Sequence, residues 1–273
     1  MDERWMVTKS FRALAFPLRQ VFPFASFYIH DNRWVYMMLS MFTARCKYYT
    51  IWIMAEGACV LAGIGYNGVN PITHQPQYNR VSNVLVWEIE TAESPKTYLD
   101  AWNTCTNRWL RYHVYMRLVH RGQRPGLWPT IATFLTSAFW HGIFPGYYFM
   151  FLYAAFAVNA ARKLRKSLHP WRQHFAAHDS KWAHVYDILG WFLTQSVISY
   201  AAVSFMLLNF SDTVQAQRNL RFIAWVAVIL VEIFFAAGGA TLIPKVRLEK
   251  SDAKKNALEE PVVVSNETRI HQD

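Results

Sequence analysis

From Pro125 to Ala161 the chain runs for 37 residues without an Asp, Glu, Lys or Arg. A soluble core helix ends long before this length, whereas one bilayer crossing needs about 20 apolar residues. The run carries a single histidine, His141, in the string SAFWHGIFPGYY. A charged group at the centre of such a stretch costs about 2.5–3.5 kcal/mol, so an ionisable residue there is a functional candidate by default.

Composition points the same way. The chain of 273 residues is 53% hydrophobic and 17% charged, against about 25% charged in soluble domains. Cys46, Cys59 and Cys105 lie far apart without a C-x-x-C spacing, which argues against a disulfide framework or a zinc site. The net charge of +10 is concentrated: between Asp100 and Asp179 there is no acidic residue. That stretch holds Arg108, Arg111, Arg117, Arg121, Arg124, Arg162, Lys163, Arg165, Lys166 and Arg172. Because these charges bracket an apolar run, phospholipid headgroups or a polyphosphate substrate fit them as partners. Nucleic acid is excluded as a partner, since no helix-turn-helix, zinc or stacking motif accompanies the charge. The charged start MDERWMVTKS does not read as a cleavable signal peptide.

Three further apolar stretches read as membrane helices. Residues 34–66 are broken by Arg45 and Lys47 and contain Glu56, which needs a partner. Residues 188–211 are uncharged, and 222–244 carry only Glu232. The last two predict a helical hairpin with a short connection bearing Arg218 and Arg221. Lys and Arg concentrate in 161–187 and beyond Lys245, which makes both segments cytosolic by the positive-inside rule. With Arg on both flanks, the run 125–161 either dips in and returns near HGIFPG or forms one long tilted helix. Residues 68–100 read as a polar surface segment. The string DAWNTCTNRWLRYHVYMRL follows as an amphipathic interfacial helix starting at Trp102, with Trp102, Thr106, Trp109 and His113 on one side. His174 and His178 stand at i, i+4, but without H-E-x-x-H they read as solvated surface. Asn266 heads an N-E-T glycosylation sequence on the side argued to be cytosolic.

Three strings, in order, resemble the membrane-bound O-acyltransferases, and among them the lysophospholipid acyltransferases. SAFWHGIFPGYY is similar to that group's histidine motif, W-H-G-x-x-P-G-Y. WNTCTNRWLRYHVYMR resembles its asparagine motif, and KYYTIWIMAEGACVLAGIGYNG resembles its K-Y-Y block. RPGLWPTIATFLTSAFWHG most resembles the fungal broad-specificity branch. Family members carry additional membrane helices before the K-Y-Y block, so the expectation is a chain equivalent to the C-terminal part of such an enzyme.

The resemblance implies an acyl transfer from acyl-CoA, as co-substrate, to the free hydroxyl of a lysophospholipid, with no resident cofactor and no metal. Such a reaction needs a base, a donor for the developing oxyanion, and the exclusion of water. Histidine suits the first role because a low-dielectric site favours its neutral form. That role falls to His141. A neutral amide donates a hydrogen bond without burying a charge, and the resemblance points to Asn103 as the polar partner of His141, with the substrate atom it touches left open. Trp140, Gly142, Pro145 and Gly146 read as backbone supports around the histidine. Cys105 has no neighbouring histidine to activate it as a nucleophile.

The expectation is therefore an all-α, multipass transmembrane helical bundle in the endoplasmic reticulum membrane, with a re-entrant or long helix carrying the histidine motif. Residues 1–244 form the acyltransferase domain, and 245–273 form a polar, disordered cytosolic tail. The alternatives are the same chemistry on a sterol, diacylglycerol or protein acceptor, and a truncated, non-catalytic membrane protein.

Overall fold

The computed structural model describes residues 33–119, 126–178 and 180–244, with the backbone alone at Ser180. Arg121, Arg124, Asn266 and the tail 245–273 lie outside the described residues. Among those described, every regular element is helical; β pairing is confined to two isolated bridges, Val69 with Pro76 and Val84 with Trp102.

The first helix, α1 (Arg33–Leu61), runs unbroken through Arg45 and Lys47, where the sequence predicts an interruption. Arg45 is accommodated because a carboxylate meets it. Its Nε and a terminal nitrogen donate to the two oxygens of Glu90 at 3.0 and 2.9 Å. Glu90 ends a short helix, α2 (Val86–Glu90), and α3 (Pro95–Ala101) follows. Pro95 occupies the first turn of α3, and the Ser94 hydroxyl accepts the Thr97 N–H at 3.1 Å, a side-chain cap for an orphan donor. The segment 68–100 is thus more than surface: Ile89 and Tyr98 are buried and pack with Tyr49, Ala101 and Ile198.

Next comes α4 (Thr104–Leu110), which continues through a π-helical turn, Arg111–Tyr115, into a last turn, Met116–Leu118. The amphipathic helix therefore begins two residues later than the sequence predicts. Trp102 is extended, with φ −94° and ψ 124°. It belongs to the end of α3, so only Trp109 and His113 of the predicted side pair up, with rings 5.3 Å apart.

The charge-free run folds as α5 (Leu127–His141) and the first part of α6 (Pro145–His178). The two helices pack against each other, with the rings of Phe134 and Phe151 6.2 Å apart across the pair. This removes the single long helix. Gly142 makes the break, at φ 132°, in a region that a Cβ strongly disfavours. With 15 residues, α5 is about 22 Å long, too short for a hydrocarbon layer of about 30 Å. With 34 residues, α6 is about 51 Å long, so its basic half runs on well past the apolar half.

The chain then forms α7 (Ser180–Leu207), α8 (Phe210–Asn219), α9 (Ile223–Ala236) and a single 3₁₀ turn, Gly239–Thr241. The connection between the last two apolar stretches is itself a helix, α8. The main core joins Tyr36, Met37 and Met41 of α1 with Tyr153 and Ala157 of α6, Tyr200 and Val203 of α7, and Val228 of α9. Its contacts are rich in small side chains. Ala154, Ala155 and Ala160 of α6 and Ser199, Ala201 and Ser204 of α7 are all buried. Small residues let helix backbones approach where lipid supplies no hydrophobic drive. Gly146 is the tightest case: its N–H donates to the Leu208 carbonyl at 2.7 Å. A Cβ there would lie 2.3 Å from the Ser204 carbonyl oxygen.

Much of the exposed surface of α7 and α9 is apolar. Ile223, Val226, Ile229, Leu230 and Ile233 of α9 and Ile188, Leu189 and Leu193 of α7 are exposed, forming the kind of surface that an aqueous monomer avoids. Among the described residues one helix, Lys181–Leu207 within α7, is long and apolar enough to cross a membrane. The pair α8–α9, bent by 80°, passes the same measure as one broken span. Glu232, alone among these apolar residues of α9, finds its partners on α6: the Asn159 amide donates at 2.8 Å and the Lys163 ammonium at 2.5 Å.

Candidate active site

His141 is the last residue of α5, so its position is set by the Gly142 break and the return of α6. The imidazole sits among rings. Phe205 of α7 meets it edge-on at 5.0 Å, Phe151 stacks at 5.3 Å, and Tyr147 lies at 5.6 Å. Trp140, its neighbour in sequence, crosses it at 4.6 Å. Residues on either side of the turn are exposed, Phe139 at 71% and Ile143 at 82%, while His141 itself is half-buried. Among the described residues neither ring nitrogen has a hydrogen-bond partner. The histidine is therefore held by packing, and its nitrogens are left for another molecule.

Asn103 stands at the start of α4 in the left-handed region, φ 48° and ψ 54°. Asparagine tolerates that conformation better than most residues. Its carbonyl accepts the Asn107 N–H at 2.9 Å, but its side chain does not cap the helix. Asn83 does so instead: its Oδ1 accepts the Cys105 N–H at 3.1 Å, and its carbonyl accepts the Thr104 N–H at 3.0 Å. Thr104 in turn donates its hydroxyl to the Ser82 carbonyl at 2.7 Å. The Asn103 amide has no hydrogen bond among the described residues, so it too is available.

Trp102, immediately before Asn103, is enclosed by four aromatic rings. Trp52 lies at 4.9 Å, Tyr48 at 5.7 Å, Tyr49 at 5.9 Å and Tyr98 at 6.1 Å. Tyr49 also donates its hydroxyl to Glu90 at 2.7 Å, joining the ring cluster to the Arg45 pair. The Glu90 carbonyl accepts the Trp191 indole N–H at 2.6 Å, and the Ile89 carbonyl accepts from Gln195 at 2.8 Å. Both donors sit on α7, which also carries Phe205 against His141.

The π-helical turn that continues from α4 packs on α5, the helix that ends in His141. Tyr48 and Tyr49 of the first string thus meet Trp102 of the second, and His141 and Tyr147 of the third meet each other.

Sequence reasoning missed the supporting residues. Glu90 and Asn83 lie between the recognised strings, and nothing local marks them. A buried cation such as Arg45 demands a carboxylate somewhere, and that was the one available signal. Glu56 is served by the Ser82 hydroxyl and not by Arg45 or Lys47. Cys105 is exposed, and no histidine ring is found beside it among the described residues. His174 and His178 have rings 4.3 Å apart, and the His178 Nδ1 bonds to the His174 carbonyl at 2.9 Å.

Comparison with known proteins agrees with the resemblance. Residues 5–203 match the model of the membrane-bound O-acyltransferase family, a span extending well beyond the three strings at both ends. A lysophospholipid acyltransferase of Schizosaccharomyces pombe is 35% identical over 238 residues, which is 85% of this chain and 46% of the relative. A lysophospholipid acyltransferase of Saccharomyces cerevisiae is 34% identical over 241 residues, 86% of this chain and 38% of the relative. The mouse membrane-bound glycerophospholipid O-acyltransferase 1 is 34% identical over 203 residues, 74% of this chain and 39% of the relative. The chain therefore spans less than half the length of these relatives.

Proposed function

The chain belongs to the membrane-bound O-acyltransferase family, and on that premise we propose that it transfers a fatty acyl chain from acyl-CoA to the free hydroxyl of a lysophospholipid. The observation that supports this reading is that the side-chain polar atoms of His141 and of Asn103 are unengaged among the described residues, while the π-helical turn that continues from α4 packs on α5. The names of the fungal relatives support the acceptor.

In the proposed reaction His141 takes the proton from the acceptor hydroxyl as its oxygen bonds to the thioester carbon. The carbonyl oxygen gains charge, and an amide N–H of Asn103 donates to it. The carbon–sulfur bond then breaks, and the proton held by His141 passes to the departing thiolate. General base catalysis contributes about 10²–10⁴-fold, and one oxyanion donor about 2.7–4 kcal/mol. The aromatic rings around His141 serve the third requirement, since water reaching the thioester would hydrolyse it.

The reading includes a multipass placement in the endoplasmic reticulum membrane, with the α5–α6 turn dipping into the lipid. The exposed aromatic tip and the short α5 favour a dip over a crossing. Residues 1–244 make up the acyltransferase part, and the basic end of α6 and the tail face the cytosol.

The test is acyl-CoA-dependent acylation of a lysophospholipid panel in membranes without background activity, comparing the chain with His141→Ala at matched expression. Product that disappears in the variant supports the assignment. Equal product from both removes His141 from the mechanism, and product only with a sterol or diacylglycerol moves the acceptor class.

A further inference from the structure

Where the charge-free half of α6 ends, a cleft of about 430 Å³ opens between that helix and the start of α3. Its walls carry Lys96, Arg162, Arg165, Lys166 and His169, and no carboxylate lines it. Val158 contributes to the end nearer the apolar half of α6. On the helix, 162, 165, 166 and 169 follow i, i+3, i+4, i+7, so one stripe of α6 presents all four to α3.

Among the described residues, counterions for these groups are few. Lys96 pairs with Asp100 on the surface of α3, and Arg165 reaches Glu93 only at 4.0 Å. Arg162 and Lys166 have no acidic partner among the described residues, and both are exposed. They stand at i, i+4, where like charges repel and weaken a helix. Lys163, by contrast, turns away to Glu232. Cations that only needed to mark the cytosolic side would serve as well when spread around the helix. Here they converge on a concavity at the boundary between apolar and charged surface.

We propose that this cleft is a binding site for a phosphate-ester anion, gripped by Arg162 and Lys166 with Lys96 opposite. Guanidinium and ammonium groups recognise phosphate oxygens by charge-assisted hydrogen bonds. Basic pockets between helices at the cytoplasmic side suit lipid headgroups, and a soluble diphosphate offers the same chemistry. The site stands apart from His141 and does not depend on acyl transfer.

The experiment uses the full 273-residue chain in zwitterionic nanodiscs. Inorganic pyrophosphate binding is measured by titration calorimetry, and retention of phosphatidic acid doped into the disc is measured by native mass spectrometry. Arg162→Gln with Lys166→Gln is expected to weaken binding of at least one probe tenfold or more. The pair Arg80→Gln with Arg218→Gln, exposed charges elsewhere, is expected to leave both unchanged. Loss of pyrophosphate alone assigns the site to a soluble phosphate, and loss of phosphatidic acid alone assigns it to a headgroup. Unchanged binding in the double variant overturns the proposal, as does equal weakening in both pairs or no binding of either probe. Because His141→Ala is expected to bind as the unaltered chain does, failure of the acyl-transfer reading leaves this result legible.

Discussion

Asn83 caps the helix that Asn103 begins. The Asn83 Oδ1 accepts the Cys105 N–H at 3.1 Å, a bond that the residue at Asn103's position ordinarily supplies from its own side chain. The left-handed backbone of Asn103 turns its amide out of that duty, and a residue twenty positions earlier performs it. With Asn83 on the helix end, the Asn103 side chain is left unengaged among the described residues.

Asn83→Ala is therefore expected to cost about 0.5–2 kcal/mol, the usual value of a lost cap. The midpoint of thermal unfolding in detergent should fall, and acyl transfer should fall with it as Asn103 is drawn back toward the helix end. Asn83→Asp keeps an acceptor oxygen and should restore both. Full activity in Asn83→Ala would show that Asn103 is placed by other contacts.

The ion pair of Arg45 and Glu90 offers a second test, with side chains 10% and 25% exposed. Removing one partner from such a pair strands the other, at about 3–5 kcal/mol when burial is complete. Glu90→Leu and Arg45→Leu should each approach that loss. The double variant should recover part of it, because neither charge is then unmatched. Simple additivity in thermal unfolding would mean that the pair is solvated in the native protein.

The legibility of this chain follows from what each force leaves in sequence. Helical content and membrane character come from long apolar runs, so α5, α6, α7 and α9 were readable at the level of existence. The motif residues His141, Gly142 and Asn103 were readable because their strings resemble a family. Helix continuity was harder. Arg45 and Lys47 look like a break, and only the distant carboxylate of Glu90 explains why α1 runs on. Trp102 fits the face of the following helix by spacing, yet four aromatic rings from α1 and α3 hold it extended. Tertiary packing overrode the periodic signal at both places. The α6 helix outlasted its apolar half because nothing in RKLRKSLHPWRQHF breaks a helix before Pro170 except that proline, and it too was absorbed.

Gly146 tests the packing around the candidate site. Since a Cβ would meet the Ser204 carbonyl at 2.3 Å and the Leu208 Cα at 2.8 Å, Gly146→Ala must push α6 away from the end of α7. Overpacking of this kind costs about 1–3 kcal/mol. It would also separate Phe205 from His141, so activity should drop further than stability alone explains. Gly142→Ala is strained by its backbone at φ 132°, with Tyr147 still 3.5 Å away from the new methyl group. A variant at Gly146 with wild-type thermal stability would refute the close crossing.

The coupling of His141 and Asn103 is the sharpest prediction. His141→Ala should lower acyl transfer by about 10²–10⁴-fold, and Asn103→Ala by about 10²–10³-fold. Neither change should move the unfolding midpoint much through lost hydrogen bonds, because among the described residues neither side chain makes one. If the two residues act as a unit, each useful only with the other in place, their losses do not multiply. The double variant should then be close to His141→Ala alone. Single-turnover rates with a saturating acyl donor would measure this without interference from product release. Losses that multiply fully would mean that the contribution of Asn103 does not depend on His141, so that the two do not act as one unit.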